Sequence, residues 1–254
     1  MTSTILADPE HTTGTANEEG GMDVETVAMT AAAVPSTTQQ PKEEQSSSRS
    51  VPPKNARIME AAYRVGEFKA NVNISYLLVQ SILAGIFKSL GCTTFLVVGG
   101  GVLGAALFPV GLIAITLTST ELFTGDLLIL TVSFLAGKVS LYAVLRNHVV
   151  AWCGNFIGTL LWASIIGYAS GTIVDNGQEE LAISLAVTKT TQPWGQIVGK
   201  VVGANFLVCL AIWQAMVAQE VISKVAALWF PIVSFVTAGL EHVVANMYFI
   251  PLGM

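Results

Sequence analysis

The chain has 254 residues, of which 52% are hydrophobic and only 11% charged, against ~25% charged in an ordinary soluble domain. That composition speaks against a soluble enzyme, and a formal charge of −5 with no basic run leaves no electrostatic footprint for nucleic acid. The three cysteines, Cys92, Cys153 and Cys209, all fall in apolar stretches and read as packing residues rather than a disulfide framework.

Residues 1–53 are rich in Ser, Thr, Gln, Glu and Gly and hold five of the nine prolines. They predict a disordered acidic tail, because so little apolar surface cannot offset chain entropy, and they lack the apolar core of a signal peptide. A polar, mixed-charge, helix-compatible segment follows from Lys54 to Lys69. Apolar stretches then predict membrane spans at Ile74–Val98, Leu103–Leu135, Val149–Ala169, Ile197–Val217 and Val225–Ile250, with a polar loop at Gly171–Gln192. The second is too long for one ~20-residue span and is interrupted at Thr116–Gly125. The fifth is interrupted around Gly239-Leu-Glu-His. Each interruption carries an acid, Glu121 or Glu241, that lipid does not tolerate unless protein or water surrounds it.

Lys54, Arg57, Arg64 and Lys69 precede the first span, Lys138 and Arg146 follow the second, and Lys224 follows the fourth. The positive-inside rule therefore predicts a cytosolic N-terminus. Spans two and five both contain a Phe-Pro pair, Phe108-Pro109 and Phe230-Pro231, ahead of their acids. Three spans separate the copies, so the second is inverted, and inverted repeats with broken helices mark a transport pathway. The first copy has three spans and the second two, which reads as a chain truncated before a sixth span.

Four stretches carry a resemblance. Gly239-Leu-Glu-His-Val-Val-Ala-Asn-Met-Tyr-Phe-Ile-Pro251 resembles the formate/nitrite transporter family, and Thr120-Glu-Leu-Phe-Thr-Gly125 looks like the family's broken-helix loop in span two. Arg146-Asn-His-Val-Val-Ala-Trp-Cys-Gly-Asn-Phe-Ile-Gly158 and Gly203-Ala-Asn-Phe-Leu-Val-Cys-Leu-Ala-Ile-Trp213 look like its third and fourth spans. The resemblance runs from about residue 57 to the end and reads as a eukaryotic member. It implies an all-α multi-pass membrane protein with an aquaporin-like inverted repeat and broken helices in spans two and five. Residues 54–254 would form the channel domain, with five of six expected spans. The implied unit is a homopentamer in a bilayer, most simply the plasma membrane. Each protomer would pass small monovalent weak-acid anions, formate or nitrite, in a proton-linked or channel-like way, with no cofactor and no metal.

The resemblance also implies site roles. His242 would be the central pore histidine, which titrates near neutral pH in its ordinary form. Lys189 precedes Asn205 at the family spacing, and a Lys189–Asn205–Glu241 network would place positive potential at the outer mouth. Leu122, Phe123 and Thr124 match the inner constriction and gating loop, and Phe108, Leu112 and Phe235 match further pore-narrowing positions, where apolar rings dehydrate the anion. Lys88, deep in span one, matches no family role. Val243 departs from the small polar residue many members carry after the histidine.

Other readings are weaker. Gly99-x-Gly101-x-x-Gly104 matches a dinucleotide pattern but joins two membrane spans, without the strand–turn–helix context such a site needs. Gly167-Tyr-Ala-Ser-Gly171 misses the nucleophile-elbow spacing by one residue. A neutral-solute pore of the aquaporin type usually carries Asn-Pro-Ala at both breaks, and these breaks carry Glu-Leu-Phe-Thr and Glu-His-Val-Val instead. A membrane protein that transports nothing is the remaining alternative.

Overall fold

The computed structural model describes residues 54–254. The reading of 1–53 as a disordered tail lies outside these residues. Helix α1 (Lys54–Asn71) leads into α2 (Ile74–Val97), a 24-residue apolar helix long enough to cross a membrane. Asn73 caps α2, its side chain accepting the backbone N–H of Ser75 at 2.9 Å. At its other end Gly99, Gly100 and Gly101 all take positive φ values, 79°, 70° and 62°. Only glycine adopts three such residues in a row cheaply, so the apparent dinucleotide motif is a tight turn between two apolar helices.

Helices α3 (Gly101–Leu107) and α4 (Val110–Leu117) form one half of the second span, and α5 (Phe123–Leu135) forms the other. Helix α6 (Leu141–Trp162) continues through a wider π-type turn, Ala163–Ala169, giving an apolar helix of 29 residues. It begins well before Val149, where the apolar run starts. Ser140 caps it, accepting from Ala143 N–H at 3.2 Å. Arg146 is therefore inside the helix, where Nη2 donates to the carbonyls of Ala70 at 2.8 Å and Val72 at 3.3 Å. It satisfies the free carbonyl end of α1 rather than sitting in a loop.

The predicted polar loop at Gly171–Gln192 is instead helical over much of its length. It contains α7 (Thr172–Asp175) and α8 (Glu179–Thr191). Glu179 and Glu180 occupy the first turn of α8 and Lys189 the last, which complements the helix dipole. Ala182 and Ala186 are its buried stripe. Helices α9 (Trp194–Val217), α10 (Val221–Thr237) and α11 (Val243–Leu252) complete the described chain. Among the described residues, three helices are each long and apolar enough to cross a membrane, and shorter apolar helices pair around the two breaks.

The repeat is longer and more regular than the Phe-Pro pairs suggest. Shifting residue numbers by 120 carries α2 onto α9 end for end, the start of α5 onto the start of α11, and the last residue of α1 onto the last of α8. The breaks match residue by residue. Ser119 (φ 55°) and Gly239 (φ 63°) are the left-handed residues of the two breaks. Thr120 N–H donates to the carbonyl of Ile115 and Leu240 N–H to that of Phe235, both at 3.1 Å. The Phe-Pro pairs do not coincide under this shift: Pro109 separates α3 from α4, whereas Pro231 lies inside α10.

Close packing of α2 on α6 frames the first half. A Cβ on Gly85 would strike the backbone of Asn155, and one on Gly158 would strike the backbone of Ile82. Overpacking of this kind costs ~1–3 kcal/mol. Gly158→Val should therefore lower the melting temperature of the detergent-solubilised protein, by an amount consistent with that loss. Gly195 and Gly199 of α9 are under no such constraint, since a Cβ on either would meet nothing within 4 Å.

Candidate functional site

Both breaks end where a helix begins, and a helix begins with unsatisfied N–H groups and a positive dipole end. Leu122 caps α5 without a side-chain acceptor. Asn155 of α6 supplies it, its Oδ1 accepting from Phe123 N–H at 2.9 Å while Nδ2 donates to the carbonyls of Glu121 at 3.0 Å and Ser81 at 2.7 Å. One amide thus ties α2, the first break and α6 together. At the second break His242 caps its own helix, Nδ1 accepting from Ala245 N–H at 3.2 Å. A nitrogen that accepts carries no proton, so the imidazole proton is on Nε2. Nε2 lies 3.1 Å from Thr124 Oγ1, in the first turn of α5. The N-termini of α5 and α11 therefore meet at the Thr124–His242 bond, with both side chains buried.

The acids lie one residue before each cap. Glu241 accepts from Lys189 Nζ at 2.7 Å, Gln192 Nε2 at 2.9 Å and Asn246 Nδ2 at 2.9 Å. Lys200 in turn donates to Gln192 Oε1. Asn205 is not part of this network. Its Nδ2 turns back to Val201 O on its own helix, 2.8 Å away, and its Oδ1 meets no partner. Gln192, at the corner between α8 and α9, occupies the place expected for it. Glu121 is paired in the equivalent way with Lys69, and the two pairs, Lys69–Glu121 and Lys189–Glu241, have the same separation along the chain. Lys69 has a second partner, Asp126 Oδ1 at 2.9 Å. Burial works against the Lys69 ammonium, but Asp126 and Glu121 outweigh it and hold its pKa above the ordinary lysine value. The ammonium therefore stays charged through neutral pH and loses its proton only in strong alkali. Removing one partner of a buried pair costs ~3–5 kcal/mol. Lys69→Met should destabilise the folded protein on that scale in a thermal melt near pH 7, and Lys69→Arg should retain most of the stability.

The remaining predicted residues form an apolar collar. The rings of Phe108 and Phe235 meet edge to face at 5.8 Å, and Phe235 stacks on His242 at 5.9 Å. Leu112 and Leu122 are buried in the same cluster, with Phe123 packed against it. Phe123 also turns an edge to His148 at 5.9 Å. A cavity of about 280 Å³ runs alongside, lined among others by Lys189, Lys200, Glu241, His242, Phe108 and Phe235. Lys88 is buried beside the collar, its ammonium 4.3 Å from the centre of the Phe108 ring and 5.4 Å from that of Phe235. Among the described residues, no group of three or more His, Cys, Asp or Glu is placed to hold a metal ion.

The profile of the family described as "Formate/nitrite transporter" matches residues 56–254. The chain belongs to the formate/nitrite transporter family. Curated relatives include a protein named "Probable formate transporter" from Methanothermobacter thermautotrophicus, 32% identical across 77% of this chain and 81% of its own length. A formate channel of Bacillus thuringiensis is 32% identical across 78% of this chain and 80% of its length. The nitrite transporter of Salmonella typhimurium is 32% identical across 73% and 71%. Among solved structures, an "FNT family ion channel" superposes with a TM-score of 0.68 at 29% identity, covering 78% of this chain and 82% of its own. A "Pentameric formate channel with formate bound" superposes at 0.63 with the same identity, covering 71% and 74%. Membership of this family of transporters and channels makes the chain a multi-pass membrane protein and not an enzyme.

Lys69, Asp126, Asn155, Gln192 and Asn246 are the polar residues of the breaks that were not singled out from the sequence. Lys69 was within reach, because the same shift of numbering that pairs Glu121 with Glu241 also pairs it with Lys189. Asn155 stands inside a motif already quoted, but nothing local shows that its amide reaches two other elements. Gln192 and Asn246 become visible only once α8 is seen to fold against α11.

Proposed function

We propose that this protein carries small monovalent weak-acid anions, formate or nitrite, across a bilayer. The anion would pass the Lys189–Glu241 mouth, the Phe108–Phe235 collar and the Thr124–His242 junction, and leave past Leu122, Phe123 and Lys69. The observation that carries this reading is the meeting of two helix N-termini at Thr124 and His242. Two positive dipole ends converge there, which favours a passing negative charge. The cationic lining of the cavity by Lys189 and Lys200 raises local anion concentration, and the apolar collar strips water from it. The Thr124–His242 bond offers a titratable group on the route, so transport coupled to protons fits this arrangement.

The functional unit we propose is a homopentamer with one path per protomer, matching the assembly named for the solved formate channel. Large apolar side chains on the outer helix faces, among them Phe206, Trp194 and Tyr142, suit contact with lipid or a neighbouring copy. The basic residues of α1 support a cytosolic N-terminus, and we place the protein in the plasma membrane. Reconstitution of the purified chain into liposomes tests the reading. Formate and nitrite should move faster than chloride, and glycerol should not move. Glycerol flux without formate flux would instead make this a pore for neutral solutes. An inserted pentamer that moves none of them would make it a non-transporting protein.

A further inference from the structure

Lys88 has no counterpart in the other half of the molecule. The shift of numbering that carries Lys69 to Lys189 and Glu121 to Glu241 carries Lys88 to Val208, a buried apolar residue on α9. The charge is thus an addition to one arm of the repeat, just past the middle of a membrane-crossing helix. Its backbone is held firmly. Gly111 on α4 approaches α2 so closely that a Cβ there would lie 2.6 Å from Phe87 O and 3.2 Å from Lys88 Cα. The side chain is therefore delivered to the collar by a rigid contact between α2 and the broken span.

What the ammonium meets there is two aromatic faces. Among the described residues no Asp or Glu stands within ion-pair distance of it, whereas Lys69 and Lys189 are each paired. Cation–π contact falls well short of what it costs to bury an unpaired charge. The remaining donors of the ammonium call for an anion, and the collar opens on the cavity that reaches Lys189 and His242. The Lys88 ammonium is also within two ring contacts of His242, since Phe235 touches both.

We infer that Lys88 is a specificity-determining residue that binds the carried anion at the Phe108–Phe235 collar. The inference rests on the transport reading above and adds to it a fixed cationic site at the Phe108–Phe235 collar. Its ligand is a small monocarboxylate or similar oxyanion in its charged form. A site of this kind sets the half-saturating concentration more than the maximal rate, because a bound anion must also leave.

The test is initial-rate uptake of labelled formate into liposomes containing the unsubstituted protein, Lys88→Met, Lys88→Gln or Lys88→Arg. Lys88→Met and Lys88→Gln should each raise the half-saturating formate concentration at least tenfold while keeping or raising the maximal rate, and Lys88→Arg should restore tight saturation. An unchanged half-saturating concentration in either uncharged variant, correctly assembled, overturns the inference. So does failure of both uncharged variants to assemble while Lys88→Arg assembles, because that result assigns the charge to the fold. The two readings fail separately. Absence of formate and nitrite flux in the unsubstituted chain defeats the transport reading, whereas normal flux with indifferent Lys88 variants defeats this inference alone.

Discussion

Glu241→Ala is expected to abolish formate flux and to destabilise the protein by ~3–5 kcal/mol. Three donors converge on this one carboxylate, from Lys189, Gln192 and Asn246, and the carboxylate is buried. Truncation leaves the Lys189 ammonium half-buried without its partner. It also frees the extended residues between Gly239 and His242, which are held by the network rather than by regular structure. Glu241→Gln should be milder, since an amide still accepts from two of the donors. The pairing itself is read from a double-mutant cycle. Lys189→Met combined with Glu241→Ala should be less destabilised than the sum of the single variants. Full additivity in a thermal melt would mean that the ion pair contributes nothing to the break.

His242→Ala is expected to reduce formate flux at least tenfold and to flatten its dependence on pH between 5 and 8. The side chain has two separable tasks. Nδ1 caps α11, and loss of a cap costs ~1 kcal/mol. Nε2 reaches across to Thr124 and links the two halves of the path. A proton on Nδ1 and the capping bond from Ala245 exclude one another, so protonating the ring requires opening the helix terminus. Asparagine is a strong capping residue without a proton to exchange at these pH values. His242→Asn should therefore recover stability while keeping the flattened profile. Flux that keeps its normal pH profile in both variants would remove His242 from the proton-linked step.

Much of the fold could be read in the chain because membrane spans are long and uniform in character. The apolar runs at 74–98 and 197–217 nearly coincide with α2 and α9 at most of their ends. The acids at Glu121 and Glu241 announced the breaks, since lipid tolerates neither. Where the reading went astray, polarity was taken as a sign of loop. Arg146 and His148 hid the first two turns of α6, because a charge that caps the end of another helix looks the same in sequence as a charge in solvent. The Ser, Thr, Glu and Gln of 171–192 hid α8, whose apolar face is narrow: Ala182 and Ala186 are buried, and Leu181 and Leu185 pack against the core beside them. The site divides in the same manner. His242, Glu241, Lys189, Thr124 and the phenylalanines come together around one cavity and one junction. Asn205 does not join them, because its spacing from Lys189 fixes the position of its Cα but not the direction its amide takes.

The account turns on the anion crossing between the two breaks, at Thr124 and His242. That is tested by placing a cysteine there in a chain whose Cys92, Cys153 and Cys209 have been changed to alanine. Thr124→Cys in liposomes is treated with a small neutral thiol-methylating reagent, and modification by mass and formate flux are measured on the same sample. The account predicts that flux falls in proportion to modification and that millimolar formate slows the reaction of this cysteine. Complete modification with undiminished flux would show that the anion takes another route.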